Sequence, residues 1–401
     1  MGQTGAGKST LLLNLIAQDL AAGHGVGVID PHGALAERAR LRAEADAHQV
    51  VYLDPTDMAR PIGFNVLDRV PPDQHAVAAD GVVSAFHHVA RQLGAAARVP
   101  ADARRQGAAR QPRATLLGVP KLFTDDRYRA RILANVRDPV LAAFWRNEWD
   151  AYDARFRSEA IAPILNKIGK VLADGRLRNI VAQPTSTIDL RRIMDEGRIL
   201  IVNLAKGPIG EGTSHLLGAL LSTALATAAL SRADTPEALR RPFYLYADEF
   251  QTYASGGFAV ILSEARKYAL ALTLGHQYLG QLSDGLRQAV LGNAASFIAF
   301  RLGAEDAPLI ARHLSLQPET EITGLGTHEI APHEQLVRLP DFEAFARTLS
   351  RRGPTAATRV RLARPPAPVH RHPERLIANS RIRFGRDRAE VEARIARFLG
   401  T

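Results

Sequence analysis

Short, almost wholly apolar runs recur along this chain, and most end in a polar or acidic turn. They are Gly25–Asp30 (GVGVID), Gln49–Asp54, Arg198–Leu204 (RILIVNL), Phe243–Ala247 (FYLYA), Ala269–Leu274 and Ser296–Leu302 (SFIAFRL). Brief and bounded by turn residues, they read as buried strands. Between them lie helical stretches: Leu11–Ile16, Ala34–Asp46, a long apolar segment from about Ser214 to Leu230, and Phe258–Tyr268. Strand–helix–strand alternation predicts an α/β fold with a mostly parallel sheet.

Pro61–Leu67 (PIGFNVL) reads as a connecting loop that leads out of the core. Beyond it the pattern is mostly helical over 71–190, which predicts an all-α insertion between two parts of the core, 1–70 and 191–350. The tail, 351–401, is rich in Pro and Arg and closes on an amphipathic segment near Arg386–Leu399. Within the insertion, Val89–Arg113 is dense in Arg, Ala and Gln and lacks an apolar stripe. It reads as a disordered basic loop or as a nucleic-acid arm, the latter without aromatic residues for base stacking.

At 401 residues the chain has room for one large or two ordinary domains. No run approaches the ~18 consecutive apolar residues of a membrane span, and no signal peptide precedes the first motif. The absence of Cys excludes disulfides and thiolate metal sites and suits a cytoplasmic protein. The formal charge of +10, with a pI near 10.2, favours a polyanionic partner, nucleic acid first. An Arg-rich composition also follows from a GC-rich genome, so charge alone does not decide.

The chemistry begins at the first residues. Gly2-Gln3-Thr4-Gly5-Ala6-Gly7-Lys8-Ser9-Thr10 reads G-x-x-x-x-G-K-S, the phosphate-binding loop of nucleoside triphosphatases. Its glycines let backbone N–H groups turn onto phosphates, Lys8 reaches the β- and γ-phosphates, and the Ser9 hydroxyl ligates Mg²⁺. The helix that follows adds its N-terminal dipole. Such a loop needs a buried strand before it; only Met1 stands there, so the expectation is an α/β core whose N-terminal strand is missing. The complementary half is Asp248-Glu249 at the end of an apolar run. Asp248 would hold the Mg²⁺ shell beside Ser9, and Glu249 would orient and deprotonate water. Gln277, at the next strand end, senses the γ-phosphate or positions the water, or else caps backbone. Arg266 and Arg301 lie nearest in sequence to these strand ends and are candidates for transition-state charge.

Taken together, GQTGAGKST, VIDPHG, YLYADEF, SEARKYALALTLGHQ and VLGNAASFIAFRLGAEDA resemble the HerA/FtsK superfamily of DNA-pumping ATPases, and within it the TraG/TraD-type coupling proteins of conjugation and type IV secretion. The resemblance covers 1–70, 190–350 and the tail. It implies a RecA-like core interrupted by an all-α domain, ATP and Mg²⁺, and a homo-oligomeric ring, hexameric in the family, that threads DNA without base preference. It also implies relaxosome or secretion-channel partners and a full-length form attached to the inner membrane. Carried over by motif, Lys8, Ser9, Asp248, Glu249 and Gln277 keep the roles above. Arg266 falls where relatives present an arginine to the neighbouring subunit's nucleotide, and Arg301 matches a second such position less well. In relatives the region of Val89–Arg113 is an amphipathic helix, so a translated frameshift is a third reading of it. The competing expectations are an inactive truncated remnant that only binds DNA or partner subunits, and a related HerA-type DNA-processing or secretion ATPase. An ABC-type ATPase is disfavoured because no LSGGQ-like signature precedes the acidic strand.

Overall fold

The computed structural model describes residues 1–43, 49–85, 114–136, 138–254, 256–323, 326–368 and 373–400; Val89–Arg113 lies outside them. The core is a five-stranded parallel sheet of β1 (Gly25–Asp30), β2 (Val50–Leu53), β3 (Ile199–Asn203), β4 (Phe243–Ala247) and β5 (Leu270–Leu274), in the order β2-β3-β1-β4-β5. This is the α/β arrangement that the apolar runs predict, and it agrees with the RecA-like core that the resemblance implies. The three central strands are buried at nearly every residue, as expected when helices cover both faces. On one face lie α1 (Lys8–Ala21) and α2 (Ala34–Arg40), with Leu12, Leu13 and Ile16 packed on Val26, Val28 and Ile201. On the other lies the helix Glu211–Leu230, which brings Leu217, Leu220, Leu221 and Leu225 against Leu200, Val202 and Leu245. That helix is long and apolar enough to cross a membrane, yet 72% of its apolar window is buried within the fold. It is the central core helix.

The six strands expected from sequence are all present, but the sixth belongs elsewhere. β6 (Phe297–Ala299) joins an antiparallel sheet with β9 (Glu343–Arg347) and β12 (Thr358–Arg361), in the order β12-β9-β6. β7 (Glu319–Thr323) and β8 (Gly326–Ile330) form a separate hairpin, as do β10 (Leu349–Ser350) and β11 (Gly353–Pro354). Met1–Gln3 runs between the two sheets. Gly2 N–H donates to the His276 carbonyl past β5, while Met1 and Gln3 bond Ile298, Phe300 and Arg301 at β6.

The described part of 71–190 is helical, its longest helix being Ala154–Ala173. Pro61–Leu67 differs from expectation, for all seven residues are buried. Their backbone polar groups are satisfied by the returning chain: Gly63 N–H donates to Thr187 Oγ1 (2.9 Å), Asn65 N–H to Ser186 Oγ (3.0 Å), and Thr187 N–H to the Gly63 carbonyl (2.9 Å). The exit and return of the helical part are thus laced together. The tail supplies two helices. Pro373–Phe384 lies along β2, where Tyr52 N–H donates to Ser380 Oγ (2.8 Å), and Arg388–Leu399 packs Val391 and Ile395 against Leu117 and Ala182 of the helical part.

One buried cation locks the distal edge of the core. Arg232, fully buried, donates to Asp195 Oδ1 (2.9 Å) and to the carbonyls of Tyr268 (2.8 Å) and Arg241 (2.6 Å). Arg232→Leu strands two carbonyls in the interior and should cost about 3 kcal/mol in urea denaturation. Arg155→Ala, which breaks only an exposed pair with Glu159, should stay within about 0.5 kcal/mol.

Candidate functional site

Folding brings the two halves of the motif set together although 239 positions separate them: Ser9 Oγ donates to Asp248 Oδ2 at 3.3 Å. The loop is shaped for close approach. Gly5 and Gly7 have φ of 82° and 118°, the left-handed region that favours glycine. At Gly2 a β-carbon would stand 2.6 Å from Phe300 Cβ, so no larger residue fits. Gly2, Ala6, Gly7 and Lys8 are buried, while Thr4, Gly5 and Ser9 are exposed and Thr10 is half-buried, so the cradle opens outward along its rim. Lys8 Nζ donates to the carbonyls of Gly2 (2.8 Å) and Gln3 (3.2 Å) and lies 3.9 Å from Glu249 Oε1. Burial pulls its pKa below the usual lysine range, against the pull of Glu249 and Asp248.

The acids converge from two strand ends. Asp30 closes β1 and accepts from Leu35 N–H (2.7 Å), Ala36 N–H (3.0 Å) and His32 N–H (2.8 Å), which caps α2. Asp248 follows β4 and is buried beside Glu249 and Asp30. Its pKa is pushed up to about 6, first by desolvation and then by those two carboxylates, with Lys8 opposing. Gly275 is needed opposite, since a β-carbon there would lie 2.4 Å from Asp248 Oδ1. Glu249 has a left-handed backbone, φ 43°, a strained setting for a glutamate that turns its side chain into the site. Its carboxylate accepts from Gln277 Nε2 on Oε1 (2.8 Å) and from Gln251 Nε2 on Oε2 (2.7 Å).

Gln251 and its neighbour were missed from sequence. With Gln251 Nε2 committed to a carboxylate, its Oε1 accepts from His276 Nδ1 (3.0 Å). His276 is therefore neutral with the proton on Nδ1, and burial holds its pKa down near 4. The sequence signal was proximity alone: Gln251 is two residues past Glu249, and His276 precedes Gln277.

The two arginines part company. Arg301 sits at its own loop, donating to Gln3 Oε1 (3.3 Å) and the Leu339 carbonyl (3.3 Å) and pairing with Asp341 (2.8 Å). Arg266 is exposed on the turn Ala265–Tyr268 that precedes β5, whereas Gln277 follows that strand. A five-residue strand spans about 16 Å, so Arg266 lies at the opposite end of the sheet from its own phosphate loop.

Ser9 and Asp248 fit a Mg²⁺ ion. Octahedral coordination at ~2.1 Å places adjacent oxygens about 3 Å apart, and theirs are 3.3 Å apart. Phosphate and water oxygens would complete the shell. A cleft of about 420 Å³ lined by Phe64, Asp68, Arg69, Gln74 and Arg191 opens elsewhere, at the root of the helical part, and no residue of the phosphate site lines it.

Neither a protein-family model nor a curated protein sequence matches this chain. Solved structures do. The plasmid coupling protein TrwB in complex with ADP and Mg²⁺ matches with a TM-score of 0.62 over 93% of this chain and 86% of its own, at 19% identity. The bacterial conjugative coupling protein TrwBΔN70 with sulphate gives 0.63 at the same coverage and identity. VirB4 of Thermoanaerobacter pseudethanolicus gives 0.58 over 92% of this chain and 88% of its own, at 15% identity. At such identities the likeness establishes a shared fold. It agrees with the resemblance carried by the motifs.

The raised pKa of Asp248 gives a stability test. In the unfolded chain it titrates near the ordinary 3.8; in the fold, near 6. A carboxyl whose pKa rises on folding destabilises the fold once both states ionise, and the penalty builds from about pH 4 to 6. Two pKa units correspond to about 3 kcal/mol. Asp248→Asn should therefore raise the stability of the nucleotide-free protein at pH 7 by about 1–3 kcal/mol, with the gain shrinking below pH ~5. Denaturation across pH measures it.

Proposed function

We propose that this protein is a nucleoside-triphosphate-hydrolysing motor of conjugative DNA transfer or type IV secretion, acting as a homo-oligomeric ring on DNA. The observation that carries the reading is the meeting of Ser9 with Asp248 and of Lys8 with Glu249 across the fold. Structures of TrwB with ADP and Mg²⁺, with the GTP analogue GDPNP and with the ATP analogue ADPNP support a triphosphate substrate in this cradle.

In this reading Lys8 leaves the Gly2 and Gln3 carbonyls for the β- and γ-phosphates. The loop N–H groups of Gly2–Thr10 take the remaining phosphate oxygens. Ser9 and Asp248 would hold Mg²⁺, which would neutralise phosphate charge. Glu249, fixed on both oxygens by Gln277 and Gln251, orients the water and takes its proton. Arg266, exposed and far from its own loop, serves the nucleotide of the adjacent copy, which is why the ring matters to the chemistry. Arg301 steadies the loop through Gln3 and Asp341.

The net charge of +10 suits a duplex or single strand held through its phosphates, without reading bases. Relaxosome and secretion-channel proteins are the partners that go with this activity, and the cytoplasm is its setting, with a membrane-attached longer form.

Hydrolysis of ATP and GTP, measured with and without DNA, tests the reading. DNA should stimulate turnover, and its affinity should fall steeply between ~50 and ~200 mM salt. Glu249→Gln should lower kcat by about 10²–10⁴-fold while nucleotide still binds. No hydrolysis by the wild type, or undiminished hydrolysis by Glu249→Gln, overturns it.

A further inference from the structure

We infer that the ring of Phe342 is the shelf on which the base of the bound nucleotide stacks. The inference rests on the nucleotide reading above and extends it to the other end of the ligand. Orientation comes first. Asp248 and Glu249, after β4, meet Ser9 and Lys8 on one side of the phosphate loop, so the metal-bearing terminal phosphates face that side. Met1–Gln3 separates β5 from β6, so the antiparallel sheet β12-β9-β6 stands on the other side. There, Phe300, Phe342 and Leu362 close over Gly7: a β-carbon on Gly7 would lie 3.1, 3.2 and 3.3 Å from them. The nucleoside leaves the loop toward this wall.

Phe342 is unlike its neighbours in two ways. Its backbone is left-handed, φ 64°, a conformation that bulky residues rarely adopt and that clusters at ligand sites. Two hydrogen bonds hold it there: Phe342 N–H donates to the Ala6 carbonyl inside the phosphate loop (2.9 Å), and Leu362 N–H donates to the Phe342 carbonyl (2.8 Å). The residue is nevertheless 45% exposed, whereas Phe300 beside it is 1% exposed. A phenyl kept for packing would be sunk like Phe300. This one is pinned to the phosphate loop and left partly open to solvent, as a stacking surface requires.

The shelf is fixed relative to the phosphates from a second direction. Asn14, on α1, donates through Nδ2 to the carbonyl of Ala363 (2.9 Å), next to Leu362. Leu362 is half-buried and supplies an aliphatic edge beside the ring. A π-face flanked by aliphatic carbon recognises the breadth of a base rather than its hydrogen-bonding edge. The site therefore takes purine nucleotides with little discrimination between adenine and guanine, and the smaller pyrimidines more weakly.

The test compares Phe342→Leu, which keeps an apolar cover over Gly7 but loses the π-face, with Phe342→Tyr, which keeps it. Both are measured by KM and kcat with Mg-ATP and Mg-GTP, and by calorimetric Kd for Mg-ADP and for inorganic tripolyphosphate, which has no base. Phe342→Leu should raise KM for ATP and GTP about tenfold, ~1.4 kcal/mol, with kcat within about twofold. Its tripolyphosphate affinity should be unchanged, and Phe342→Tyr should restore wild-type values. If Phe342→Leu leaves KM unchanged, or weakens tripolyphosphate as much as ADP, the ring only props the loop and the inference is overturned while the phosphate site stands. If the wild type binds neither ligand, the nucleotide reading fails and takes this inference with it.

Discussion

The structure turns on a charge imbalance that folding creates and cannot relieve alone. Asp30, Asp248 and Glu249 are buried within one strand end of each other, and Lys8 is the buried cation that faces them. Asp30 is satisfied by the N-terminus of α2, but Asp248 is driven toward the proton, first by burial and then by its carboxylate neighbours. A divalent cation on Asp248 and Ser9 would remove that strain. The rigid β4 end, the glycine opposite Asp248, and the strained backbone of Glu249 all hold the carboxylates where a metal–triphosphate, rather than water, would stabilise them.

Other features serve to keep that cluster in register. Both faces of the sheet are covered, so β1 and β4 cannot shift relative to one another. Pro61–Leu67 and Ser186–Thr187 are laced together, which lets a large helical part leave the sheet without loosening β3. The tail then returns over β2 and binds the helical part through Val391 and Ile395, with Lys121 donating to the Phe398 carbonyl (2.6 Å). These ties add to the packing of His75–Ala85 of the helical part against the central helix Glu211–Leu230.

Much of this was legible in the residues, for a physical reason. Strands buried on both faces must be apolar throughout, so β1 to β4 stand out, with β1 and β4 matching residue for residue, while the edge strand β5 is apolar in sequence though only Leu270 is buried. Strands that are half exposed carry no such mark. β12 (TRVR) reads as surface, and β9 was missed with it, so Ser296–Leu302 looked like a further strand of the core when its partner is β9. The helix Pro373–Phe384 buries only Leu376 and Ser380 and left no apolar stripe. In the site, motif spacing located Lys8, Ser9, Asp248, Glu249 and Gln277. Gln251 and His276 were invisible because an amide and a neutral imidazole act there only through hydrogen bonds that the fold assembles. Arg266 was expected on a helix; it stands on the 3₁₀ turn after it, where Ala269 (φ 56°) reverses the chain into β5.

The central claim is that one active site is built from two copies of the chain, Lys8 and Glu249 from one and Arg266 from the next. Hydrolysis by mixtures of Lys8→Ala and Arg266→Ala measures it most directly, with subunit exchange verified by a tag. Each variant alone should be inactive, since one loses the phosphate contact and the other the transition-state charge. Mixing should return part of the wild-type rate, because some interfaces then join an intact Lys8 to an intact Arg266. Wild-type hydrolysis by Arg266→Ala alone would contradict the claim outright.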